Sequence, residues 1–518
     1  LTKINDEFLA KPENKPQVVG WWYDRDGKKT PWPAMLASGR GIYFSHVIFG
    51  DDPINKQAFL TAVVGNRDRS IYADILRTKW RNAFEIGLAP GADINLSRQE
   101  AAADVAAKLT KKGLDVDKLL KVFTGLPDSL FASKDSAKMT TEANKIFLAL
   151  DKVCEERSYE YCARMKPLKK EARFWWEHSG LGAYPGNWDR TMKELSAAGF
   201  NGVIANMLWG GSACYKSDLL PIDPKVTRYG DQIEQAVAAG KKYGVEIHVW
   251  KVNFRCSTST PEFKKKIVDE GRAQKTFGGA CEDIWLCPSH PENQKLEVTT
   301  MIEVATKYKV DGIHFDYIRY PGGNQCYCEG CKDRFSKWLK EKTGKTIENW
   351  PQDTRKPEIA EDFIQWRCDQ ITAVVRETRR QLDALHSPVY LSAAVFSGYP
   401  GCRTSVGQDW VSWCHAGYLD FVCPMDYTDL ADSFDRMVAS QMSYVKGSTL
   451  VYPGIGVTVP RRLRPDEACV QINVTRNHKT GGFVFFDLNS SMAGAYLPVF
   501  GSTPMKAKAT TPHSDLKK

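Results

Sequence analysis

Residues 310–321 read VDGIHFDYIRYP, and this stretch decides the fold. Its central part, 312–317, has the length and apolar composition of a strand buried in a parallel sheet. Asp316 stands at the end of this strand, and Arg319 and Pro321 follow directly. Since active sites of parallel α/β barrels lie at the carboxyl ends of the strands, Asp316 is the first candidate for the chemistry of this chain.

Outward from this strand, short apolar segments alternate with amphipathic helices from about residue 171 onward. Eight strands are expected in this part of the chain, at 173–176, 202–206, 245–250, 312–317, 389–394, 419–424, 450–454 and 482–486. Eight successive units of this kind predict an α/β fold of the closed (β/α)8 TIM-barrel type. The first turn has no Gly-x-Gly-x-x-Gly, which argues against a dinucleotide-binding open sheet.

A smaller α/β-plus-helical region is expected before the barrel. Residues 41–50 are strand-like and 59–64 suggest a helix, which weakly resembles the end of an amidotransferase-like accessory domain; a packing extension of the barrel is the alternative. Ser97 and Glu100 form a capping-box pattern at the start of helical segments near 101–109, 114–122 and 141–153. The expected division is 1–66 for the accessory segment, 67–166 for the helical region, 167–500 for the barrel and 501–518 for a disordered tail.

The composition bounds the function classes. The 518-residue chain has a formal net charge of +9 and no basic block interleaved with aromatic residues, so a nucleic-acid partner is poorly supported. No apolar run is long enough to span a bilayer. Fourteen cysteines favour an oxidising compartment, so we expect a secreted, periplasmic or cell-surface protein. The oligomeric state is left open.

Polar residues at the expected strand ends suggest the chemistry. Glycosidic bonds are broken by two carboxyl groups that face one cavity. Asp316 ends the fourth strand and Asp426 ends the sixth, so both are expected on the same face of the barrel. We assign Asp316 as nucleophile or stabilising base and Asp426 as general acid/base, with Asp487 as the rival of Asp426. The alternative for each is a helix cap or an ion pair.

Further side chains near the strand ends are candidates for binding a carbohydrate substrate without a cofactor. Aromatic rings can stack on sugars and polar groups can bond their hydroxyls, although core packing is the commoner fate of each residue. These candidates are His178, Asn206, Trp250, Lys251, His314, Tyr317, Arg319, Tyr427 and Asp487.

Two metal hypotheses remain open. His178, His248 and His314 lie on or just after three strands, so a three-histidine metal site is conceivable. Separately, Cys326, Cys328 and Cys331 form Cys-x-Cys-x-x-Cys after Asp316. Disulfides that brace this loop are the first choice; zinc would need a fourth ligand, for which Cys281, Cys287 and His290 are candidates.

The segment 310–321 resembles the signature strand of the glycoside-hydrolase-like family 10 proteins. Supporting matches are the segments 213–217, 246–250 and 285–288, and the similarity covers about 171–489. The resemblance implies a barrel distantly related to α-galactosidase-type glycosidases and a retaining mechanism. It also implies a nucleophile at Asp316 and an acid/base at Asp426. The family's signature has a second acidic residue directly after the aspartate. This chain has Tyr317 at that position, so it is a divergent member.

The leading hypothesis is therefore a glycoside hydrolase that acts on a polysaccharide or glycan. Two alternatives stay open at this point. One is a carbohydrate-binding barrel without catalysis, in which Asp426 does not face Asp316 across a cavity. The other is a metal-dependent carbohydrate deacetylase or hydrolase, in which His178, His248 or His314 converges with Asp316 on an ion.

Overall fold

The structure is a computed structural model that describes residues 15–39, 41–45, 53–65, 67–88, 96–121, 136–281 and 283–516. The chain forms two compact units. One comprises Leu1–Trp80 and Leu109–Leu150, and the other comprises Arg81–Lys108 and Asp151–Lys518. The expected domain boundaries at 66 and 166 stay a prediction.

The first unit contains a small antiparallel sheet of order β1-β2-β3, with β1 at Gln17–Tyr23, β2 at Lys29–Ala37 and β3 at Ile42–Phe44. The turn between β1 and β2 is closed by Asp24, whose Oδ1 accepts from the backbone N–H groups of Asp26 and Lys28 at 3.0 and 2.8 Å. Of the strand-like stretch 41–50, residues 42–44 are strand and 46–50 lie outside the described residues.

Helices precede the barrel, as expected. The capping box is present, because the Ser97 Oγ accepts from the N–H of Glu100 at 3.1 Å and the Glu100 carboxylate accepts from the N–H of Ser97 at 2.8 Å. Residue 122, at the end of one expected helix, is outside the described residues. The helices of this region are Pro53–Gly65, Ser70–Phe84, Arg98–Lys111, Val116–Leu120 and Ser136–Ala163.

The second unit contains the predicted (β/α)8 barrel. Its strands are β4 Ala172–Glu177, β5 Gly202–Trp209, β6 Glu246–Val252, β7 Gly312–Asp316, β8 Tyr390–Phe396, β9 Phe421–Met425, β10 Leu450–Val451, β11 Gly454–Gly456 and β12 Gly482–Phe486. All barrel pairings are parallel, and the order β10-β9-β11-β12-β4-β5-β6-β7-β8 closes through β9 and β8. β10 and β11 together form the seventh position, which is interrupted at Tyr452-Pro453.

Helices connect the strands around the outside of this ring, as the alternating pattern predicts. They are Trp188–Ala197, Pro224–Tyr229, Gln232–Tyr243, Pro261–Asp269, Pro291–Lys307, Glu329–Thr343, Pro357–Ala384, Gly401–Val406, Trp410–His415, Ala431–Val445, Pro465–Asn477 and Ser490–Gly501. Among the described helices, none combines the length and apolar character needed to cross a bilayer.

The strands separate two apolar layers, because successive side chains point to opposite faces. On β4, Phe174 and Trp176 belong to the cluster inside the ring, whereas Trp175 packs in the outer cluster beneath the helices. On β9, Phe421 and Cys423 lie inside and Val422 lies outside. This alternation decides which polar side chains can reach the lumen.

The segment after the last helix is ordered, contrary to the expected disordered tail. Its backbone pairs with the chain before β4, since the N–H of Glu171 donates to the carbonyl of Thr510 at 2.9 Å. His513 is fully buried at the amino end of the barrel, where its ring bonds Glu246 at 2.8 Å and the Tyr452 hydroxyl at 3.0 Å. The prediction rested on the basic composition of this segment, but Lys506 and Lys508 are exposed while the buried His513 anchors it. Residues 517–518 lie outside the described residues.

Candidate active site

Strand β7 sends alternate residues into the barrel. Ile313 and Phe315 pack in the outer cluster, so His314 and Asp316 face the lumen. The position of His314 confirms this, because its Nε2 accepts from the indole N–H of Trp176, which belongs to the inner cluster, at 3.2 Å. Asp316 is therefore the last inward residue of the strand, at the carboxyl end of the barrel.

Asp316 has a carboxyl group in a mostly apolar environment. The residue is 5% exposed, and burial raises the pKa of its carboxyl to about 6. The positive charge of Arg319 opposes this increase, and so does the N–H of Tyr317, which donates to Oδ1 at 2.6 Å. The indole N–H of Trp250, which has no partner of normal hydrogen-bond geometry, also favours the ionised form. A carboxyl with this pKa can exchange a proton near neutral pH.

Arg319 is held against aromatic rings beside Asp316. Its guanidinium lies 4.4 Å from the ring centre of Tyr317 and 4.8 Å from that of Phe396 at the end of β8. Trp285 also packs against Tyr317, with ring centres 5.7 Å apart. The strand pattern could have identified Phe396, since Ser392 also faces inward, but no periodic signal identifies Trp285.

A second group of aromatic and polar residues lies at the same end of the barrel. Tyr427 stacks on Phe486 with ring centres 5.1 Å apart, and the His178 ring meets Trp250 edge to face at 5.5 Å. Asp487, directly after β12, accepts a hydrogen bond from the Thr458 hydroxyl at 2.9 Å.

Electrostatic effects place Asp487 near His178 and Tyr427. Its negative charge raises the pKa of His178, although burial, the larger effect, lowers it. Burial raises the pKa of Tyr427, and the charges of Asp316, Asp426 and Asp487 raise it further. Asp316, Tyr427, His178 and Asp487 therefore belong to one region at the carboxyl end of the barrel.

Asn206 is a buried amide without a partner. It is 1% exposed, and among the described residues neither its Oδ1 nor its Nδ2 has a hydrogen-bond partner. An unpaired buried amide costs free energy, on the order of 1–3 kcal/mol for each lost bond. Because β5 places Ile204 in the inner cluster, Asn206 faces the lumen two residues later, where a ligand hydroxyl could satisfy it.

Asp426 points to the helix side of β9 rather than to the lumen, which argues against the expected pairing with Asp316. Its carboxylate is fully buried, and Oδ1 accepts from the side-chain N–H of Gln441 at 2.6 Å. Gln441 lies on the helix Ala431–Val445, which covers the outside of the barrel. The physical reason is strand alternation: Cys423 belongs to the inner cluster and Tyr427 packs against it, so Asp426 falls on the other face.

Lys251 is also outside the lumen, contrary to the predicted substrate-binding role. It alternates with the inward Trp250 and forms a fully buried ion pair with Glu297, whose carboxylate lies 3.1 Å from Nζ. Glu297 also accepts from the Asn253 amide at 2.6 Å. These groups attach β6 to the helix Pro291–Lys307, and the sequence pattern did not indicate Glu297.

His314 is not available to a ligand. It is fully buried, and burial lowers the pKa of the ring well below its usual value, so the ring is neutral. Its second nitrogen, Nδ1, bonds the Ser392 hydroxyl at 2.8 Å. His314 therefore supports the floor of the site, which corrects its predicted contact with sugar hydroxyls.

The three-histidine metal hypothesis is wrong. His248 pairs with Gly312, four residues below Asp316, and bonds Glu246 at 3.1 Å near the amino end of the barrel. His178 lies at the opposite end of the barrel. Within the described ranges, the groups with metal-ligand geometry are Cys287 with Cys326, Cys328 and Cys331, and Glu246 with His248 and His513. Neither includes Asp316.

The raised pKa of Asp316 should make the free energy of unfolding depend on pH. Because the folded-state pKa, about 6, exceeds the ordinary 3.8, the protonated form favours folding. This contribution is complete below about pH 4 and is lost as the pH rises through 6, at a cost of about 2–3 kcal/mol. The Asp316→Asn variant should therefore be more stable than the native chain at pH 8 and similar at pH 4. Thermal unfolding at both values measures the difference; equal stability at pH 8 would contradict the assignment.

Known structures share the barrel. The glycoside hydrolase domain of PgaB (BpsB) from Bordetella bronchiseptica matches with a TM-score of 0.53 at 12% identity, covering 65% of this chain and 100% of that domain. The catalytic domain of beta-amylase from Paenibacillus polymyxa matches with a TM-score of 0.50 at 12% identity, covering 66% and 100%. At these identities the likeness shows the fold alone.

Relatives in sequence match about half of the chain at low identity. An S-layer-related protein of Niallia circulans is 21% identical over 320 residues, which are 52% of this chain and 20% of that protein. The glycosyl hydrolase DigH of Escherichia coli O6:H1 is 24% identical over 315 residues, which are 53% and 67%. The chain thus spans a fifth of the first relative and about two thirds of the second.

A family model provides the broader match. The model described as glycosyl hydrolase-like 10 covers residues 185–458, which is more than half of the chain. The matched region runs from the helix after β4 to beyond β11 and includes the segment 310–321 with Asp316. This match confirms the resemblance noted for that segment, and the chain belongs to the glycosyl hydrolase-like 10 family.

Proposed function

We propose that the chain hydrolyses glycosidic bonds in a polysaccharide or glycan at the carboxyl end of the barrel. The observation that carries this proposal is the Asp316 carboxyl, which faces the lumen among Tyr317, Trp250 and Tyr427 and whose pKa is raised to about 6. Aromatic rings suit the apolar faces of sugars, and a carboxyl in such surroundings suits acid–base or nucleophilic work on an acetal.

Asp316 acts as the nucleophile in this proposal. Above pH 6 its carboxyl is ionised, and Arg319 beside it favours that state. A carboxylate with few solvating partners can attack an anomeric carbon, and a covalent glycosyl intermediate leads to retention of configuration. The barrel holds Asp316 at the end of a central strand, which positions it rigidly.

Asp487 acts as the second carboxyl group, in place of Asp426. It is half-buried rather than fully buried, and it lies directly after the end of β12. The charges of Asp316, Asp426 and Asp487 all raise the pKa of the Tyr427 hydroxyl, so Asp487 lies within electrostatic range of the same ring as Asp316. Protonation of the leaving oxygen by Asp487 and activation of water in the second step complete the reaction.

The remaining residues of the site bind and orient the sugar. We assign Trp250, Tyr427 and Phe486 to stacking, and Asn206 and His178 to hydroxyl groups. This acid–base chemistry requires no cofactor. Because polysaccharides are commonly met outside the cytoplasm, we also propose a secreted, periplasmic or cell-surface location.

The pH dependence of the rate tests the role of Asp316. If the ionised carboxylate is the nucleophile, kcat/KM on a glycan from a screening panel should rise about tenfold per pH unit below pH 6 and level off above it. A rate that falls as the pH rises through 6 would instead identify Asp316 as the proton donor. Proton NMR of the first product decides the stereochemistry, since retention is expected and inversion would reject the covalent intermediate.

One observation favours a second candidate, a carbohydrate-binding barrel without catalysis. The burial of Asp426 behind β9 removes the carboxyl pair expected from the family resemblance. This candidate predicts oligosaccharide binding in a calorimeter with no release of reducing ends after long incubation. Hydrolysis that depends on Asp487 would exclude it.

A further inference from the structure

Four thiol groups from two separate loops converge beside the active-site end of the barrel. They belong to Cys287, Cys326, Cys328 and Cys331, and their sulfur atoms all lie within 4.8 Å of one another. All four residues are buried. The Sγ of Cys287 is 3.4 Å from that of Cys331 and 3.8 Å from that of Cys328.

These distances do not fit disulfides. A disulfide holds its sulfur atoms about 2.05 Å apart, and both of these sulfur–sulfur distances are well above that value. All fourteen cysteines lie in described ranges and all are free, so the expected bracing disulfides are not formed. The reason is geometric: the nearest partner of the Cys-x-Cys-x-x-Cys motif is Cys287, and it adds a fourth thiol to the set.

The distances do fit four ligands of one metal ion. A zinc–sulfur bond of about 2.3 Å places the sulfur atoms of a tetrahedral set about 3.8 Å apart. Four thiolates without an open position form a closed structural site rather than a catalytic one. We propose that Cys287, Cys326, Cys328 and Cys331 bind a structural zinc ion that joins the two loops.

The surroundings of the cluster support a group with net negative charge. The Arg334 guanidinium lies 3.9 Å from the Cys287 sulfur and also donates to the Ser289 hydroxyl at 3.1 Å. Ser289 Oγ is 3.3 Å from the sulfur atoms of Cys287 and Cys331. A zinc ion with four thiolates carries a formal charge of about −2, and such neighbours hold the ligands in place.

The site joins the loop after β6 to the loop after β7. Cys287 precedes the helix Pro291–Lys307, whereas the other three thiols follow Asp316, with Cys328 at the start of the helix Glu329–Thr343. The two loops also pair through their backbones, since the N–H of Tyr327 donates to the carbonyl of Lys275 at 2.9 Å. A zinc ion at the four thiols adds a second link between these two loops.

The ion therefore supports one wall of the active site. Trp285 lies two residues before Cys287 and packs on Tyr317, the neighbour of Asp316. This consequence rests on the proposed function, whereas the metal site itself does not. The zinc is a positioning element, so its loss should raise KM more than it lowers kcat.

Metal analysis of the purified full-length chain tests the site. Plasma mass spectrometry of protein expressed with zinc and purified without chelators should find about one zinc per chain. Cys326→Ser and Cys331→Ser should each reduce this to less than about a tenth. The matched control is Cys281→Ser, in the same loop region but outside the cluster, which should keep the metal. Equal loss in the control would overturn the assignment.

The native chain provides a test that does not depend on variant folding. Exchange of zinc for cobalt should produce the strong visible absorption of a tetrahedral thiolate site, and a mercurial reagent should release the metal in step with thiol modification. A metal-free chain, bound iron, or a Cys287–Cys331 disulfide detected by mass spectrometry would each reject the proposal. Because these readouts need no substrate, they stand even if glycan hydrolysis is not observed.

Discussion

Asp316→Asn should lower kcat/KM for a glycan substrate by at least about 10³-fold while the fold is kept. The amide has the shape of the carboxyl group but cannot attack an anomeric carbon or exchange a proton. Because Asp316 is buried and its pKa is raised by that burial, the neutral amide should cost no stability. Initial rates over a panel of oligosaccharides, with circular dichroism of each variant, measure the effect.

Asp426→Asn is the matched control for this experiment. Asp426 also follows a barrel strand, but its carboxyl is fully buried, and burial raises its pKa well above the usual range. The asparagine should change kcat/KM by less than about tenfold, whereas Asp487→Asn should lower it by about 10²-fold or more. A full loss of activity in Asp426→Asn would restore the pairing that the sequence alone suggested and reject the geometry described above.

Glu297→Gln should lower the free energy of unfolding of the barrel by about 3–5 kcal/mol. Lys251 and Glu297 are both fully buried, 3.1 Å apart, so the variant leaves an ammonium group without its counter-charge. Burial already lowers the pKa of Lys251, and the Glu297 carboxylate is the largest opposing influence. The midpoint and slope of urea unfolding, followed by tryptophan fluorescence, measure the loss.

Two further variants separate charge from packing. Lys251→Met combined with Glu297→Gln removes both charges but keeps a donor and acceptor for Asn253, so more than half of the lost stability should return. Asp269→Asn breaks the exposed pair with Lys265 and should leave the midpoint unchanged. If the double variant is as unstable as Glu297→Gln, the uncompensated charge is not the cause.

The barrel itself could be predicted because its pattern is local. Each strand is a short apolar run between amphipathic helices, and this alternation is visible without knowledge of any contact. The position of Asp316 follows from the same reasoning, since it ends a strand whose neighbours Ile313 and Phe315 set the register. The direction of the Asp426 side chain could not be predicted in this way. A shift of one residue along a strand moves a side chain to the opposite face, and the sequence does not show exactly where β9 ends.

The sequence by itself determined the ring of parallel strands and the place of Asp316 at the carboxyl end of one of them. Tertiary structure alone decided that Asp426 and Lys251 face the helices, that Glu297 compensates the buried lysine, and that Cys287 completes the thiol cluster. It also decided that His513 closes the amino end of the barrel. The physical reason is sequence separation. Local periodicity indicates which side of a strand is apolar, whereas contacts with distant loops and helices form only when the chain packs.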